Sequence, residues 1–319
     1  MSSYRATAGC DRPFVGLRPF EYSDRDYFFG REDELDALEL QIKQNRFVTV
    51  VGRSGCGKSS LIRAGLRARL AKGGAPRWNW AEMHPGAAPI RGLALALAGL
   101  TGDTGDLFEA WADRFENVLG RSSFGLGEAL AQIPEVRLSN RNRVLLVVDQ
   151  CEELFQFANL RSEGRLDLVT AAERRDEATM FVRLLLRAMT SSTLPLHTIV
   201  VMRSDYLGHC AGFHGLPEAV SQSQFLVPGM TRNQVEDVIR KPVQLAGGQI
   251  DPGLVQRALN DTKEDPDQLP ILQHAMMRCW ERAYHRGHRP HLTIDDYRKV
   301  GGVAGLLMQP ERPILSAPV

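Results

Sequence analysis

The sequence predicts an α/β fold, a three-layer sandwich with a parallel central sheet, followed by a small all-helical subdomain. Three short apolar runs, FVTVV, VLLVV and TIVVM, begin at Phe47, Val144 and Thr198 and are rich in β-branched residues. Runs of this kind are typical of strands that are covered on both faces of a sheet. RWNWAEMHPG, which begins at Arg77, is expected to form an early strand and a tight turn. Helical periodicity lies between the strands, and after Pro228 the sequence carries no further convincing strand.

Length and composition limit the possible functions. A chain of 319 residues can form one large α/β domain and a smaller one. Its 39 basic residues are balanced by 38 acidic ones, so phosphate binding requires a local site, and nucleic acid is not a favoured partner. The five cysteines lack metal-type spacing and indicate a reducing compartment. Neither a secretory signal nor a membrane-spanning run is visible, so we expect a cytoplasmic protein without a membrane partner.

Composition and periodicity also suggest domain boundaries. A leader rich in Phe and Tyr comes first, and a capping box at Thr231–Gln234 opens the helical part. A segment with three prolines ends the chain and is expected to be flexible. The predicted parts are a leader at 1–30, an α/β core at 31–228, a helical subdomain at 229–307 and a tail at 308–319.

The strongest motif is VVGRSGCGKSSL, which begins at Val50. It fits the pattern G-x-x-x-x-G-K-[ST] and lies between a predicted strand and a predicted helix, as a phosphate-binding loop requires. Such a loop curls main-chain amides around phosphates, and the start of the helix favours negative charge. The sequence therefore predicts a P-loop NTPase core with a nucleotide and Mg²⁺. The expected nucleotide-binding residues are Gly52, Arg53, Ser54, Gly55, Cys56, Gly57, Lys58, Ser59 and Ser60.

Two of these residues have specific predicted roles. Lys58 is expected to reach the β- and γ-phosphates, and the Ser59 hydroxyl is expected to bind Mg²⁺. A second metal ligand is predicted at Asp149, because this acid follows the apolar strand VLLVV and should emerge at the carboxyl edge of the sheet.

Hydrolysis needs a group that orients or deprotonates water, and Glu152 and Glu153 are the candidates. Either glutamate could instead be a negative charge at the first turn of the next helix, where such charge is favoured. Arg203 follows the strand TIVVM, so its guanidinium is expected at the same edge, near the γ-phosphate. The alternative is that Ser204 or Asp205 caps a helix and Arg203 is a solvated neighbour.

Together these motifs resemble the STAND class of P-loop ATPases, specifically the bacterial novel-STAND type that is often joined to WD-type propellers. The resemblance covers most of the chain and depends on six segments in the order of the family. They read PFVGLRPFEYSDRDYFFGRE, VVGRSGCGKSSLIRAGL, LLVVDQCEELF, VVMRSDYLGHC, LPILQHAMMRCWERA and GGVAGLL.

The resemblance implies roles that the spacing alone does not. It places Phe29, Gly30 and Arg31 against adenine, and it implies that Pro270 packs on the base, although Pro270 could simply start a helix. It implies ATP or ADP as the ligand. It favours Glu152 as the residue that activates water, while related ATPases often carry their Glu at the position of Gln150. The implied catalytic set is Lys58, Glu152 and Arg203.

Family members are switches in which ATP and ADP favour different states, often with self-association or protein partners in signalling or defence. We therefore expect a slowly hydrolysing regulatory ATPase, and we expect the chain to lack its own effector and sensor domains. The alternatives are an AAA+-like ATPase acting on nucleic acid or protein, a small-molecule kinase, and a nucleotide-binding interaction module without catalysis.

Overall fold

The computed structural model describes residues 12–74, 76–137, 142–158, 168–191, 194–262, 268–287 and 289–307. The predicted flexible tail lies outside the described residues. The chain consists of two compact units. One unit comprises Met1–Glu32, Gly55–Gly65 and Gly229–Val319, and the other comprises Asp33–Ser54 and Leu66–Pro228.

The second unit contains a five-stranded sheet, which confirms the predicted α/β fold with a parallel central sheet. All described pairings are parallel, in the order β2-β3-β4-β1-β5. The three apolar strands and the early strand are present as predicted, and one further strand follows them. The strands are β1 (Phe47–Gly52), β2 (Arg77–Met83), β3 (Asn142–Val148), β4 (Leu196–Arg203) and β5 (Gln224–Leu226).

Helices lie between the strands along the chain. The helix after the glycine loop starts as α2 (Lys58–Ser60), widens to a π-helix over Leu61–Leu66 and continues as α3 (Arg67–Lys72). Short 3-10 helices span Gly99–Thr101 and Ser204–Gly212. The remaining α-helices before Pro228 are α1 (Glu32–Gln44), α4 (Pro89–Ala98), α5 (Asp106–Leu119), α6 (Gly125–Leu130), α7 (Pro134–Arg137), α8 (Glu152–Ala158), α9 (Leu168–Met189) and α10 (Leu216–Gln222).

Burial explains why the central strands are apolar. Each side chain from Val144 to Val148 is at most 1% exposed. Successive residues of a strand point to opposite faces, so β3 is covered on both sides. Thr49 in the middle of β1 is fully buried, and its hydroxyl has no hydrogen-bond partner among the described residues. The interior of the sheet is therefore almost entirely apolar, and its polar chemistry is concentrated where the strands end.

The other unit contains the leader segment and the predicted helical part. Its elements are a 3-10 helix at Tyr22–Tyr27, the helices α11 (Arg232–Leu245), α12 (Pro252–Asp261), α13 (Leu269–Tyr284), α14 (Ile294–Lys299) and α15 (Gly302–Leu307), and the strands β6 (Gln249–Ile250) and β7 (His291–Leu292).

The predicted capping box is confirmed, because Thr231 and Gln234 exchange side-chain and main-chain hydrogen bonds at the start of α11. Leu272, Met276 and Trp280 on α13 belong to a separate buried core. The expectation of no strand after Pro228 needs a small correction, since β6 and β7 form a parallel pair. Each has only two residues, too few to produce a recognisable pattern.

Candidate functional site

The three strands that carry the predicted motifs are neighbours in the sheet. β4 pairs with β3 on one side and with β1 on the other, all parallel. Gly52 at the end of β1 is in register with Arg203 at the end of β4, and Val148 pairs with Val200. In parallel sheets the carboxyl ends meet at one edge, where ligands bind in open α/β folds. The sheet therefore brings the acidic motif, the arginine and the start of the glycine loop to the same edge.

The glycine loop has the conformation that its composition predicts. Gly55 and Gly57 have φ angles of +78° and +93°, which side-chain-bearing residues rarely adopt. A Cβ at Gly57 would meet nothing within 4 Å, so the backbone conformation and not the space requires glycine there. The helix begins directly afterwards at Lys58, with Leu61 N–H donating to the Gly57 carbonyl over 2.9 Å. The ammonium group of Lys58 lies 4.0 Å from the Cys56 sulfur.

The leader contacts the loop and its helix directly. Arg31 is only 3% exposed, and its Nη2 donates to the carbonyl oxygen of Cys56 over 3.0 Å. The main-chain N–H of Phe20 donates to Ser60 Oγ over 3.0 Å. Sequence reasoning predicted Arg31 as a base contact and did not foresee its bond to the loop backbone, because no sequence pattern reports a contact between a side chain and a distant carbonyl.

The other residues expected on the adenine side lie near the helices of the same unit. Gly30 has a φ of +81°, and a Cβ there would come 2.7 Å from the carbonyl oxygen of Gln234 on α11. Lys241 Nζ lies 5.8 Å from the centre of the Phe29 ring. Pro270 occupies the first turn of α13, where a proline fits without losing a hydrogen bond. The helix-start role of Pro270 is therefore present.

Asp149 is buried at the end of β3. Its side chain is 2% exposed, and one carboxylate oxygen accepts a hydrogen bond from Gln150 N–H over 2.9 Å. Gln150 has a φ of +53°, the one positive value for a non-glycine residue in the described part of the chain. Conformations of this kind cost about 1–3 kcal/mol and concentrate at functional sites. The turn that follows Asp149 is thus a strained one.

The two candidate glutamates have different surroundings. Glu152 Oε2 accepts a hydrogen bond from the main-chain N–H of Arg203 over 3.3 Å. Glu153 Oε2 accepts one from the main-chain N–H of Gly86, in the turn after β2, over 3.0 Å. Glu152 is therefore directed to the end of β4, whereas Glu153 is hydrogen-bonded to the turn that follows β2.

Arg203 is half-buried and paired with Asp205. Its Nη2 lies 2.6 Å from Asp205 Oδ2, and this hydrogen bond raises the pKa of Arg203 and lowers that of Asp205. The guanidinium carbon is 5.8 Å from the centre of the Tyr206 ring. Among the described residues, Arg203 Nε is buried without a hydrogen-bond partner. Arg203 stands at the predicted edge, and in this structure its guanidinium is oriented by Asp205.

Aromatic packing joins the segments that follow β3 and β4. The Phe155 ring on α8 is stacked on Tyr206 at 6.4 Å and on His209 at 5.9 Å between ring centres. Gln156 Nε2 also donates to the Tyr206 hydroxyl over 2.7 Å. These contacts fix the helix that begins at Glu152 against the 3-10 helix that follows Arg203.

Two polar residues that sequence reasoning missed also lie at this edge. Glu82 and His84, at and just after the end of β2, come together with Asp149. Their ligand atoms all lie within 4.8 Å of one another. Only the pairing of β2 with β3 brings them together, so a search for spaced motifs could not find them.

Residues 13–312 match the model of the family described as Novel STAND NTPase 1. The chain belongs to this family. It is a P-loop ATPase of the novel STAND type, as the order of its motifs predicted.

Curated relatives of this novel STAND protein match over shorter segments. An aliphatic sulfonates import ATP-binding protein, SsuB, of Pseudomonas entomophila is 33% identical over 129 residues, which are 39% of this chain and 43% of that protein. SsuB of Yersinia pestis bv. Antiqua is 57% identical over 42 residues, 12% of this chain and 16% of that protein. The chain thus spans less than half the length of these curated relatives.

Solved structures share the fold of the novel STAND chain at low identity. The ORC2 protein of Aeropyrum pernix, in its ADPNP and ADP complexes, has a TM-score of 0.56 and 16% identity, covering 85% of this chain and 67% of that one. The ORC1 protein of the same organism, in complex with DNA, has a TM-score of 0.52 and 16% identity, covering 86% and 65%. These similarities confirm the P-loop fold.

In the part of the chain that is described, none of the helices combines the length and the apolar character needed to cross a membrane.

Proposed function

We propose that this chain binds ATP and ADP with Mg²⁺ at the carboxyl edge of its sheet, hydrolyses ATP slowly and acts as a nucleotide-dependent switch. The strand order carries this proposal, because it makes the strand of the glycine loop, the strand of Asp149 and the strand of Arg203 parallel neighbours. A phosphate loop, an acid and an arginine at one edge supply the three charges that phosphoryl transfer requires.

The loop is proposed to hold the phosphates mainly through its backbone. Positive φ angles at Gly55 and Gly57 allow successive amides to curl inward, and the helix that begins at Lys58 adds the positive end of its dipole. Lys58 supplies a mobile positive charge for the β- and γ-phosphates. The backbone and side chains that complete this contact are those of Gly52, Arg53, Ser54, Cys56, Ser59 and Ser60.

Asp149 and Ser59 have the oxygen donors that Mg²⁺ prefers, and we assign the ion to them. The observation that favours a cation here is the burial of the Asp149 carboxylate, since attraction between opposite charges is stronger away from water. When bound, Mg²⁺ neutralises charge on the β- and γ-phosphates. The protein contributes a fixed carboxylate, held at one oxygen by Gln150 N–H.

Glu152 is proposed to orient and deprotonate the attacking water. Its carboxylate is directed by the main-chain N–H of Arg203, whereas that of Glu153 holds Gly86. The Arg203 guanidinium is proposed to turn from Asp205 to the γ-phosphate. This exchange costs little, because both side chains of the pair are more than a third exposed and such pairs contribute about 0–1 kcal/mol.

We assign the adenine side to Phe29, Gly30, Arg31 and Pro270, as the family resemblance implies. Arg31 is buried and already bonded to Cys56, so we propose that it holds the loop backbone while Phe29 and Pro270 supply apolar surface to the base. The ring of Phe29 and a proline in the first turn of α13 suit a planar ligand.

The switch itself follows from differential binding. A ligand shifts an equilibrium only by its difference in affinity for the two states, and the γ-phosphate is the group by which ATP and ADP differ. Glu152 accepts a hydrogen bond from the main-chain N–H of Arg203, so a γ-phosphate that displaces the backbone at the end of β4 would also move Glu152. Protein partners or further copies of the chain are proposed as the readout.

The decisive test is nucleotide binding by Lys58→Ala, with Lys72→Ala as the matched control. Lys72 is an exposed lysine at the end of α3, remote in sequence from the loop motif. Calorimetry should show ATP and ADP binding to the wild type and to Lys72→Ala, and a loss of about a hundredfold or more on Lys58→Ala. Absence of binding to the wild type, or equal affinity in all three proteins, would overturn the proposal.

The switch can be tested apart from binding. Particle mass and hydrodynamic radius with ADP and with a slowly hydrolysed ATP analogue should differ. Identical values in both states would remove the switch and leave the nucleotide site intact. Turnover stimulated strongly by DNA would instead favour an AAA+-like function, which the balanced charge of the chain does not support.

A further inference from the structure

Glu82, His84 and Asp149 form a cluster of three metal-ligand side chains at the ends of two neighbouring strands. The cluster lies entirely within the unit that contains the sheet. His84 is exposed, Glu82 is half-buried and Asp149 is buried. An ion could therefore enter from solvent at the imidazole and meet a carboxylate in the interior.

The register of the sheet creates this cluster. Glu82 pairs with Val147 and Met83 with Val148, and the pairing continues one step further because Asp149 N–H donates to the Met83 carbonyl over 2.9 Å. Residues two apart on a strand point to the same face. Since Glu82 lies opposite Val147, the side chains of Glu82, His84 and Asp149 are placed on one face of β2 and β3.

The carboxylates are oriented by donors outside the cluster. Trp80 Nε1 donates to Glu82 Oε2 over 3.0 Å, and Gln150 N–H donates to Asp149 Oδ1 over 2.9 Å. Hydrogen bonds of this kind are common around metal ligands, where they fix the direction of the carboxylate. The cluster thus has both ligand types and an arrangement that holds two of the three side chains in place.

The chemistry of the three groups fits a divalent transition metal better than Mg²⁺. Imidazole suits zinc and similar ions, carboxylates suit manganese, and Mg²⁺ usually avoids nitrogen ligands. Ligands that share one ion at about 2.0–2.2 Å lie no more than about 4.4 Å apart. The observed limit of 4.8 Å is close to this value, so small side-chain rotations suffice to close the site.

We propose that Glu82, His84 and Asp149 bind one divalent transition-metal ion, such as Zn²⁺ or Mn²⁺, in the absence of nucleotide. The site shares Asp149 with the proposed Mg²⁺–nucleotide site. Its other two ligands, Glu82 and His84, lie at the end of β2, which carries none of the nucleotide-binding motifs. Binding should follow the order Zn²⁺, Mn²⁺, Mg²⁺ from tightest to weakest. An ion held there is in place at the sheet edge before the nucleotide arrives.

The test uses Mn²⁺ and the full chain without nucleotide. Electron paramagnetic resonance of free Mn²⁺ should reveal one bound ion per chain, displaced by Zn²⁺ at lower concentration than by Mg²⁺. His84→Ala and Glu82→Gln should each weaken binding by about tenfold or more. His214→Ala removes another exposed histidine, outside the cluster, and should bind Mn²⁺ like the wild type.

A spectroscopic readout separates ligation from a change in folding. Pulsed resonance of the bound Mn²⁺ should show coupling to an imidazole nitrogen, and this coupling should be absent in His84→Gln. No bound Mn²⁺ in the wild type, or equal binding in the wild type and the two cluster variants, would overturn the proposal and indicate a hydrogen-bonded cluster without an ion.

The proposal can fail without the nucleotide site failing. Lys58→Ala should abolish nucleotide binding and keep the Mn²⁺ signal unchanged, because Lys58 is not in the cluster. If Mn²⁺ binds only when ATP is present, and Lys58→Ala removes it, then the ion belongs to the nucleotide and the cluster is not an independent site.

Discussion

The main-chain N–H of Arg203 donates a hydrogen bond to the carboxylate of Glu152 over 3.3 Å. This bond joins the end of β4 to the first residue of α8. Glu153, one residue later, accepts its bond from Gly86 on the other side, after β2. Two adjacent glutamates therefore have the same chemistry and different positions, which makes them a matched pair for experiment.

Glu152→Gln should lower ATP turnover by about a hundredfold or more, because an amide keeps the shape of the side chain and cannot accept the proton. Nucleotide affinity should be retained. Glu153→Gln should reduce turnover far less, since its carboxylate holds a turn. Phosphate release and calorimetry on both variants check this. A larger loss in Glu153→Gln than in Glu152→Gln would reverse the assignment.

Gly30→Ala should destabilise the chain by about 2–4 kcal/mol, since it combines a positive φ with a Cβ placed 2.7 Å from the Gln234 carbonyl oxygen. Gly253 on α12 is the control, because a Cβ there meets nothing within 4 Å and its φ is not positive. Gly253→Ala should be neutral or stabilise by up to about 1 kcal/mol. Thermal unfolding followed by circular dichroism measures both. Equal midpoints would show that the contact at Gly30 is not important for stability.

Gln150 offers a test of backbone strain. Gln150→Gly should leave stability within about 1 kcal/mol of the wild type, because the removal of left-handed strain offsets the entropy cost of glycine. Gln150→Val should cost about 1–3 kcal/mol, since a β-branched residue is disfavoured at a φ of +53°. The comparison requires unfolding curves for both variants. A valine variant as stable as the glycine variant would show that the turn adapts without strain.

The environment of Asp296 predicts that the stability of the helical unit depends on pH. Its side chain is 1% exposed, and the hydrogen bond from Arg286, assisted by those from Thr293, holds its pKa well below the usual range. A lowered carboxyl pKa contributes stability that is complete above the unfolded value of about 3.9 and is lost as the pH falls towards the folded value. Asp296→Asn should therefore be less stable by about 2–3 kcal/mol at pH 7.

That difference between Asp296→Asn and the wild type should shrink as the pH is lowered below about 4. Unfolding midpoints measured from pH 7 to pH 3 give the curve. Asp295→Asn is the control, because the Asp295 side chain is 70% exposed and pairs only with Arg298 among the described residues, at 3.5 Å. A constant difference across this range would contradict the assigned role of Asp296.

Much of the fold could be predicted from the sequence, because it depends on local patterns of residues. FVTVV, VLLVV and TIVVM are the strands β1, β3 and β4, the strand in RWNWAEM is β2, and Thr231 caps α11 as predicted. β5 was not predicted. It has only three residues, QFL, which are too few to show a periodic pattern.

The limits of the sequence appear where distant residues meet. The cluster of Glu82, His84 and Asp149 depends on the exact register of β2 and β3, which no periodicity encodes. The buried hydrogen bond from Arg31 to the Cys56 carbonyl joins residues that are 25 positions apart in the sequence. The sequence motifs identified the candidate residues, whereas the hydrogen-bond partner of each residue is seen only in the three-dimensional structure.

The order of the strands has a consequence for synthesis of the chain. Among the described strands, β1, which leads into the glycine loop, pairs with β4 and β5, whose residues follow about 150 positions later or more. Contacts of such long sequence separation form slowly, because a large loop must close first. A nascent chain that ends before residue 196 leaves β1 without either neighbouring strand. The unpaired edges of β1 can then bind chaperones or aggregate until β4 has been synthesised.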